Sequence, residues 1–212
     1  HRTISRIWMG LFLTLSGLRF SVTGKHHFNK IGPAIVICNH NSLIDVPLST
    51  PFLPRANKTI AKKSFVYVPL FGWIYQFASV IVDRKSNESR RKSYEEMKRV
   101  LDNGLDMLIY PEGTRNKTNN PLKSFYDGAF RLAIETQKPI VVNTLVGIKA
   151  LNPPTGFFTY RPGTMQAHWE EAIPTEGLSL KDIDLLKEKV ASLMVHRLTQ
   201  AQNMAPKKLV KN

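Results

Sequence analysis

Short apolar runs recur along the chain, separated by stretches of helical length and mixed polarity. "AIVIC" (34–38) is continuously apolar between Gly32-Pro33 and Asn39, the pattern of a strand buried on both faces. "KTIAK" (58–62), "SVIVD" (79–83), "DMLIY" (106–110), "PIVVNTLVG" (139–147) and "TMQAHWEEA" (164–172) predict five further strands. Between them, residues 43–50, "LFGWIYQFA" (70–78) and "YDGAFRLAIETQ" (126–137) predict helices. "NESRRKSYEEMKRVLDNG" (87–104) predicts an exposed amphipathic helix stopped by Gly104. "SLKDIDLLKEKVASLMVHRLTQ" (179–200) predicts a long helix with Ser179 as its N-cap. Strands alternating with helices define the α/β class: one domain with a largely parallel or mixed central sheet covered by helices on both faces.

The two ends differ from this body. The chain opens with an apolar run of twelve residues between Arg6 and Arg19, shorter than the roughly 20 that a spanning helix needs. Ile4, Trp8, Leu11, Leu15 and Leu18 recur at helical spacing. That face either packs on its own domain or lies in a membrane interface, with Trp8 and the flanking arginines as anchors. The expected organisation is an N-terminal membrane-associating segment over 1–24, the folded domain over 25–203, and a basic, disordered tail over 204–212.

Charge narrows the partner. The 212 residues carry a net charge of +14, which calls for an anionic partner: nucleic acid, an anionic membrane or a phosphorylated substrate. No recognition-helix motif or aromatic-basic strand signature supports nucleic acid. The single cysteine, Cys38, excludes an internal disulfide framework.

Three polar clusters follow the predicted strands: "NHNSLID" (39–45), "DRK" (83–85) and "PEGTRN" (111–116). In parallel α/β sheets functional groups gather at the C-terminal strand ends, so one cleft is expected to hold all three. On a straight helix His40 and Asp45, five apart, would point about 140° from each other. A strand-to-helix turn brings them together, and the carboxylate then fixes the imidazole tautomer and leaves the other nitrogen as a general base. The spacing alone is weak, since six histidines and seven aspartates give about 0.2 chance matches. Ser42 and Cys38 stand nearby as alternative nucleophiles, with Cys38 equally read as a small buried hydrophobe.

"PEGTR" is more specific. Gly113 lets the backbone turn and approach a ligand, Thr114 adds a hydroxyl, and Arg115 offers a fork suited to phosphate. Glu112 either orients a substrate hydroxyl or holds Arg115. Arg84 is a second guanidinium or half of a surface ion pair with Asp83, and Lys62 and Lys63 are either solvated or face a phosphate.

The order and spacing of "NHNSLID", "AKKSFVYVPLFGW…VIVDR", "YPEGTRN", "FYDGAF" and "KPIVV" resemble the glycerolipid acyltransferases, with the closest likeness to bacterial 1-acylglycerol-3-phosphate acyltransferases. The resemblance implies transfer of a fatty acyl group from a thioester to the free hydroxyl of a lysophospholipid acceptor, with His40 as general base, Asp45 behind it and no acyl-enzyme. It implies acceptor binding by Arg84, Glu112, Gly113, Thr114 and Arg115, with Lys62 and Lys63 nearby, and makes backbone amides near Gly113 candidates for the thioester oxyanion. Further expectations are acyl carrier protein or coenzyme A as donor, a membrane surface with anionic lipids as partner, no metal or other cofactor, and a place at the cytoplasmic face of a bacterial inner membrane. Glycerol-3-phosphate or a lyso-aminolipid is the alternative acceptor, and a non-enzymatic binder of anionic membrane or nucleic acid the alternative class. Two departures from the family pattern stand out: Ala78 where the second block often begins with Gly, and Asn143 in place of the second proline of the fourth block.

Overall fold

The computed structural model describes residues 2–28, 31–67, 72–152 and 160–204. In chain order they form α1 (Arg2–Leu15), β1 (Leu18–Thr23), β2 (Ile35–Cys38), α2 (Asp45–Phe52), β3 (Asn57–Lys62), α3 (Gly72–Ala78), β4 (Ser79–Val82), α4 (Asn87–Asp102), β5 (Asp106–Ile109), α5 (Gly128–Thr136), β6 (Ile140–Val146), α6 (Ile148–Leu151), β7 (Gly163–Trp169) and α7 (Ile183–Met204). Part of the predicted 70–78 helix (70 and 71) and all but the first residue of the basic tail lie outside the described residues.

The seven strands make one mixed sheet in the order β1-β7-β6-β2-β5-β3-β4. β6, β2, β5, β3 and β4 run parallel, so their C-terminal ends share one edge. β7 is antiparallel to β6, and β1 runs parallel to β7. From β2 the chain steps through β3 to β4 at one edge, then back through β5 to β6. Right-handed crossovers therefore put α2 and α3 on one face and α4 and α5 on the other.

The strand residues divide accordingly. Ile35 and Ile37 of β2, Met107 and Ile109 of β5, and Ile140 and Val142 of β6 face α4, α5 and α7. Val36, Cys38, Leu108, Val141 and Leu145 face α1 and α2, among Leu13, Ile44 and Leu48. Both faces of the central strands are dry, which is why these strands read as unbroken apolar runs. Each such side chain contributes roughly 1.5–3 kcal/mol by leaving water.

One element departs from the sequence expectation. The helical stripe stops at Leu15, because Gly17 turns the chain at φ 64°. Leu18, expected as the last position of that stripe, is buried in β1. In α1, Leu13 enters the core while Ile7, Trp8, Leu11 and Leu15 stay exposed. Arg6, expected as a membrane anchor, donates from Nε to the Pro51 carbonyl at 2.7 Å and pins α1 to α2. At the other end Ser179 forms a capping box with Asp182, opening a 3₁₀ turn that leads into α7.

Candidate active site

β2 ends in a tether. Asn39 is fully buried, and its amide donates to the Leu145 carbonyl at 3.0 Å while its oxygen accepts the Leu145 N–H at 2.7 Å. This two-bond lock to β6 fixes the point from which His40 leaves the sheet. The chain then wraps around the carboxylate of Asp45, the first residue of α2. Asp45 Oδ2 accepts the Asn41 N–H at 2.6 Å, the Ser42 N–H at 2.8 Å and His40 Nδ1 at 2.8 Å. The five-residue spacing is therefore that of a loop closed on its own carboxylate. A carboxylate that accepts N–H bonds is an acceptor only, so Nδ1 carries the imidazole proton and Nε2 is the nitrogen left to the cleft. Asp45 is fully buried and the His40 side chain is 17% exposed. The imidazole lies tilted against the Tyr110 ring, centroids 4.6 Å apart.

The "PEGTRN" loop grips the main chain of the same histidine. Glu112 Oε1 accepts the His40 backbone N–H at 2.7 Å, and the Asn116 N–H donates to the His40 carbonyl at 2.6 Å. The second Glu112 oxygen accepts the Lys123 N–H at 3.0 Å. Burial pushes the Glu112 carboxyl above its usual range, against the pull of those two N–H donors. Asn116 is itself buried and closes the loop with bonds to Thr118 and to the Asn120 carbonyl. Gly113 makes the turn at φ 68°, where an added Cβ would fall 2.7 Å from the Tyr126 ring.

A cleft of about 610 Å³ opens at this edge of the sheet. Among the described residues, the lining holds His40 with five cations, Lys62, Arg84, Arg115, Lys117 and Lys123, and no carboxylate. Leu43, Val46, Ile60, Phe65 and Tyr75 add apolar lining, with the Phe65 and Tyr75 rings 5.2 Å apart. Arg84 reaches from the end of β4 and donates to the Gly113 carbonyl, which ties the second polar cluster to the third. Lys123 Nζ donates to Thr114 Oγ1 at 2.7 Å. The cleft thus gathers the His40 imidazole, five cations and apolar side chains in one lining.

All three predicted clusters thus meet at one site, with corrections in detail. Glu112 is not among the described cleft-lining residues: both of its oxygens accept backbone N–H bonds, so it braces the His40 and Lys123 main chain. Lys63 begins the 3₁₀ turn Lys63–Tyr67 and is exposed outside the cleft. Arg84 bonds the Gly113 carbonyl instead of pairing with Asp83. The Gly113 N–H donates to the Tyr110 carbonyl at 3.0 Å and is unavailable to an oxyanion. Ser42 is buried and donates to the Asn152 side chain, while burial raises the Cys38 thiol well above its usual range. Neither lines the cleft. Among the described residues, no group of three or more His, Cys, Asp or Glu side chains is placed to hold a metal ion.

Sequence reading passed over Asn39, Asn116, Lys117 and Lys123. The first two stand inside the quoted clusters, at 39 and 116, but were given no role of their own. Lys123 sits in a polar loop where nothing but its distance from Glu112 marks it.

The α/β sheet presents a paired imidazole and carboxylate at a cleft lined by cations and apolar side chains. The chain belongs to the Acyltransferase family, whose model matches residues 19–145, from β1 into β6 and across every cluster described above. It is 33% identical over 196 residues to the 1-acyl-sn-glycerol-3-phosphate acyltransferase of Cocos nucifera, covering 92% of this chain and 60% of that one. The human 1-acyl-sn-glycerol-3-phosphate acyltransferase beta is 32% identical over 173 residues, with 80% and 61% covered. The chain therefore spans about three-fifths of the length of these curated relatives. Its fold is shared with the crystal structure of the 1-acyl-sn-glycerophosphate acyltransferase PlsC from Thermotoga maritima, at a TM-score of 0.79 and 24% identity over 95% of this chain and 79% of that one.

Proposed function

We propose that this protein transfers a fatty acyl group from a thioester to the free hydroxyl of 1-acylglycerol-3-phosphate, giving phosphatidic acid. The observation that carries the reading is the His40–Asp45 pair, 2.8 Å apart, on a cleft wall shared with Arg84 and Arg115. His40 Nε2 takes the proton of the acceptor hydroxyl as its oxygen attacks the thioester carbonyl carbon. Asp45 stabilises the resulting imidazolium. The tetrahedral intermediate collapses with cleavage of the C–S bond, and the imidazolium returns the proton to the departing thiolate. No covalent enzyme intermediate is needed, which agrees with the burial of Cys38 and Ser42.

Arg84, Arg115 and Lys62 take the acceptor's phosphate, joined by Lys123 through its contact with Thr114, and the apolar lining takes an acyl chain. Either an acyl carrier protein or coenzyme A supplies the thioester. The exposed stripe of α1 rests on an anionic membrane surface, the cytoplasmic face of a bacterial inner membrane on this reading. No described helix is long and apolar enough to cross a membrane.

The test is transfer from a labelled thioester to 1-acylglycerol-3-phosphate, wild type beside His40→Ala, with glycerol-3-phosphate, a lyso-aminolipid and a no-acceptor control. Phosphatidic acid from wild type alone is expected, with loss of roughly 10²–10⁴ in rate on removal of the base. Undiminished transfer by a folded His40→Ala protein would overturn the mechanism.

A further inference from the structure

We propose that α3 and the 3₁₀ turn before it form a second membrane-docking edge, which seats the mouth of the cleft on an anionic bilayer. The proposal rests on the lipid acyltransferase reading above and adds a surface which that reading does not need. Trp73 and Phe77 stand four apart on α3, hence on one stripe, and are 68% and 77% exposed. Tyr67, at the end of the 3₁₀ turn, is 75% exposed. Three large aromatic side chains held in water on two adjoining elements are a patch calling for a cover.

The same elements also build the cleft. Tyr75 lies two residues from Trp73, about 200° around the helix, and lines the cleft together with Phe65 of the 3₁₀ turn. So one short helix carries an exposed aromatic edge on one side and cleft wall on the other. A lipid lying against Trp73 and Phe77 is one helix-width from the apolar surface that would receive its chain.

Two further observations favour a bilayer over a protein partner. The crossovers place α3 on the same face of the sheet as α2, and α1 packs on α2 with Ile7, Trp8, Leu11 and Leu15 outward. Two separate apolar patches on one face suit a planar, fluid partner. Cations border the α3 patch where headgroups would lie: Lys63 is exposed at the start of the turn and Lys62 precedes it in the cleft, on a chain of net charge +14. Tyr and Trp combine an apolar body with a polar tip, as an interfacial site requires. Lys63 thereby gains a role outside the cleft, as a headgroup contact.

The experiment compares wild type with Trp73→Ser/Phe77→Ser for binding to vesicles of phosphatidylcholine and phosphatidylglycerol in equal parts. Melting temperatures are recorded for both proteins. The double variant should melt like wild type and bind these vesicles roughly a hundredfold more weakly, since two aromatic rings no longer leave water. Transfer to an acceptor embedded in the vesicles should fall in parallel, while transfer to the same acceptor in detergent micelles stays at the wild-type rate. Bilayer-embedded brominated lipids should quench wild-type fluorescence more than that of Trp73→Phe, which keeps the anchor and removes the reporter. Unchanged vesicle binding by the double variant, or equal quenching of wild type and Trp73→Phe, would overturn the proposal. So would a shift from dimer to monomer on substitution with vesicle binding intact, which would assign the patch to a second copy of the chain. The binding and quenching arms need no turnover, so they succeed or fail separately from the proposed reaction.

Discussion

Asp106 opens β5 at the N-terminal edge of the parallel strands, and Asp45 opens α2 beyond their C-terminal edge; both are fully buried and both hold a basic side chain. Asp106 is saturated. Its Oδ1 accepts the Ala34 N–H at 2.9 Å and Arg55 Nη2 at 2.7 Å, and its Oδ2 accepts Arg55 Nε at 3.1 Å. Arg55 also donates to the Ile31 carbonyl. A guanidinium never gives up its proton near neutrality, so this pair can only join β2, β5 and the loop before β3. Asp45 gathers three N–H donors on one oxygen, while its Oδ1 has no hydrogen-bond partner among the described residues. Its partner is the imidazole of His40, whose side chain lines the cleft and is the proposed general base. Similar burial and carboxylate chemistry thus serve cohesion at one edge and, on the proposed mechanism, reactivity at the other, and the partner decides which.

Exchanging the two roles should separate activity from stability. Asp45→Asn is expected to lower kcat by roughly 10²–10⁴, because the amide no longer holds the imidazole tautomer or stabilises its protonated form. Its urea midpoint should move far less than its activity, which steady-state kinetics beside a urea melt would show. Asp106→Ala should do the reverse. Removing one partner of a pair buried on the acid side is expected to cost about 3 kcal/mol in unfolding free energy, with kcat nearly unchanged wherever the protein remains folded. A cleft-facing cation should behave as neither: Arg115→Gln is expected to raise KM for a phosphorylated acceptor about tenfold, the loss of one charged hydrogen bond. Its kcat and melting temperature should stay close to wild type. Equal losses of stability in Asp45→Asn and Asp106→Ala would erase the contrast.

The smallest expected effect concerns pH. The two-bond contact from Arg197 on α7 holds the Glu170 carboxyl below its usual range. A depressed folded pKa stabilises the protein above the unfolded pKa, and that contribution is lost as pH falls through the folded one. Glu170→Gln should therefore melt lower than wild type at neutral pH, with the gap closing toward the acid end of the carboxylate range. Thermal melts across that interval would read it.

Much of this was legible because the central strands are buried on both faces. Runs such as "AIVIC" and "DMLIY" admit few other interpretations, and the structure places them at 35–38 and 106–109. β1 was hidden for the opposite reason. It is an edge strand covered on one side, so Leu18, Phe20 and Val22 alternate with Arg19, Ser21 and Thr23. That short alternation follows directly on an apolar helix, and Gly17 was the only mark of the break. At the site, residue types in motif order gave the cluster but not the direction of each side chain. Glu112 looks like a ligand in sequence because a carboxylate beside an arginine usually faces solvent or substrate. Only the positions of the His40 and Lys123 amides, 72 and 11 residues away, turn it inward.

Those same two grips on His40 bear on how such a protein can be altered. Its backbone N–H belongs to Glu112 and its carbonyl to Asn116. The segment proposed to carry the proton acceptor and the segment proposed to read the phosphate are thus halves of one tile, though more than sixty residues of chain lie between them. Grafting a foreign 111–116 loop to alter acceptor choice would also re-aim the imidazole, unless 39–45 travelled with it. On the proposed reaction, specificity and rate are inherited together in this scaffold, and neither half can be redesigned as a module.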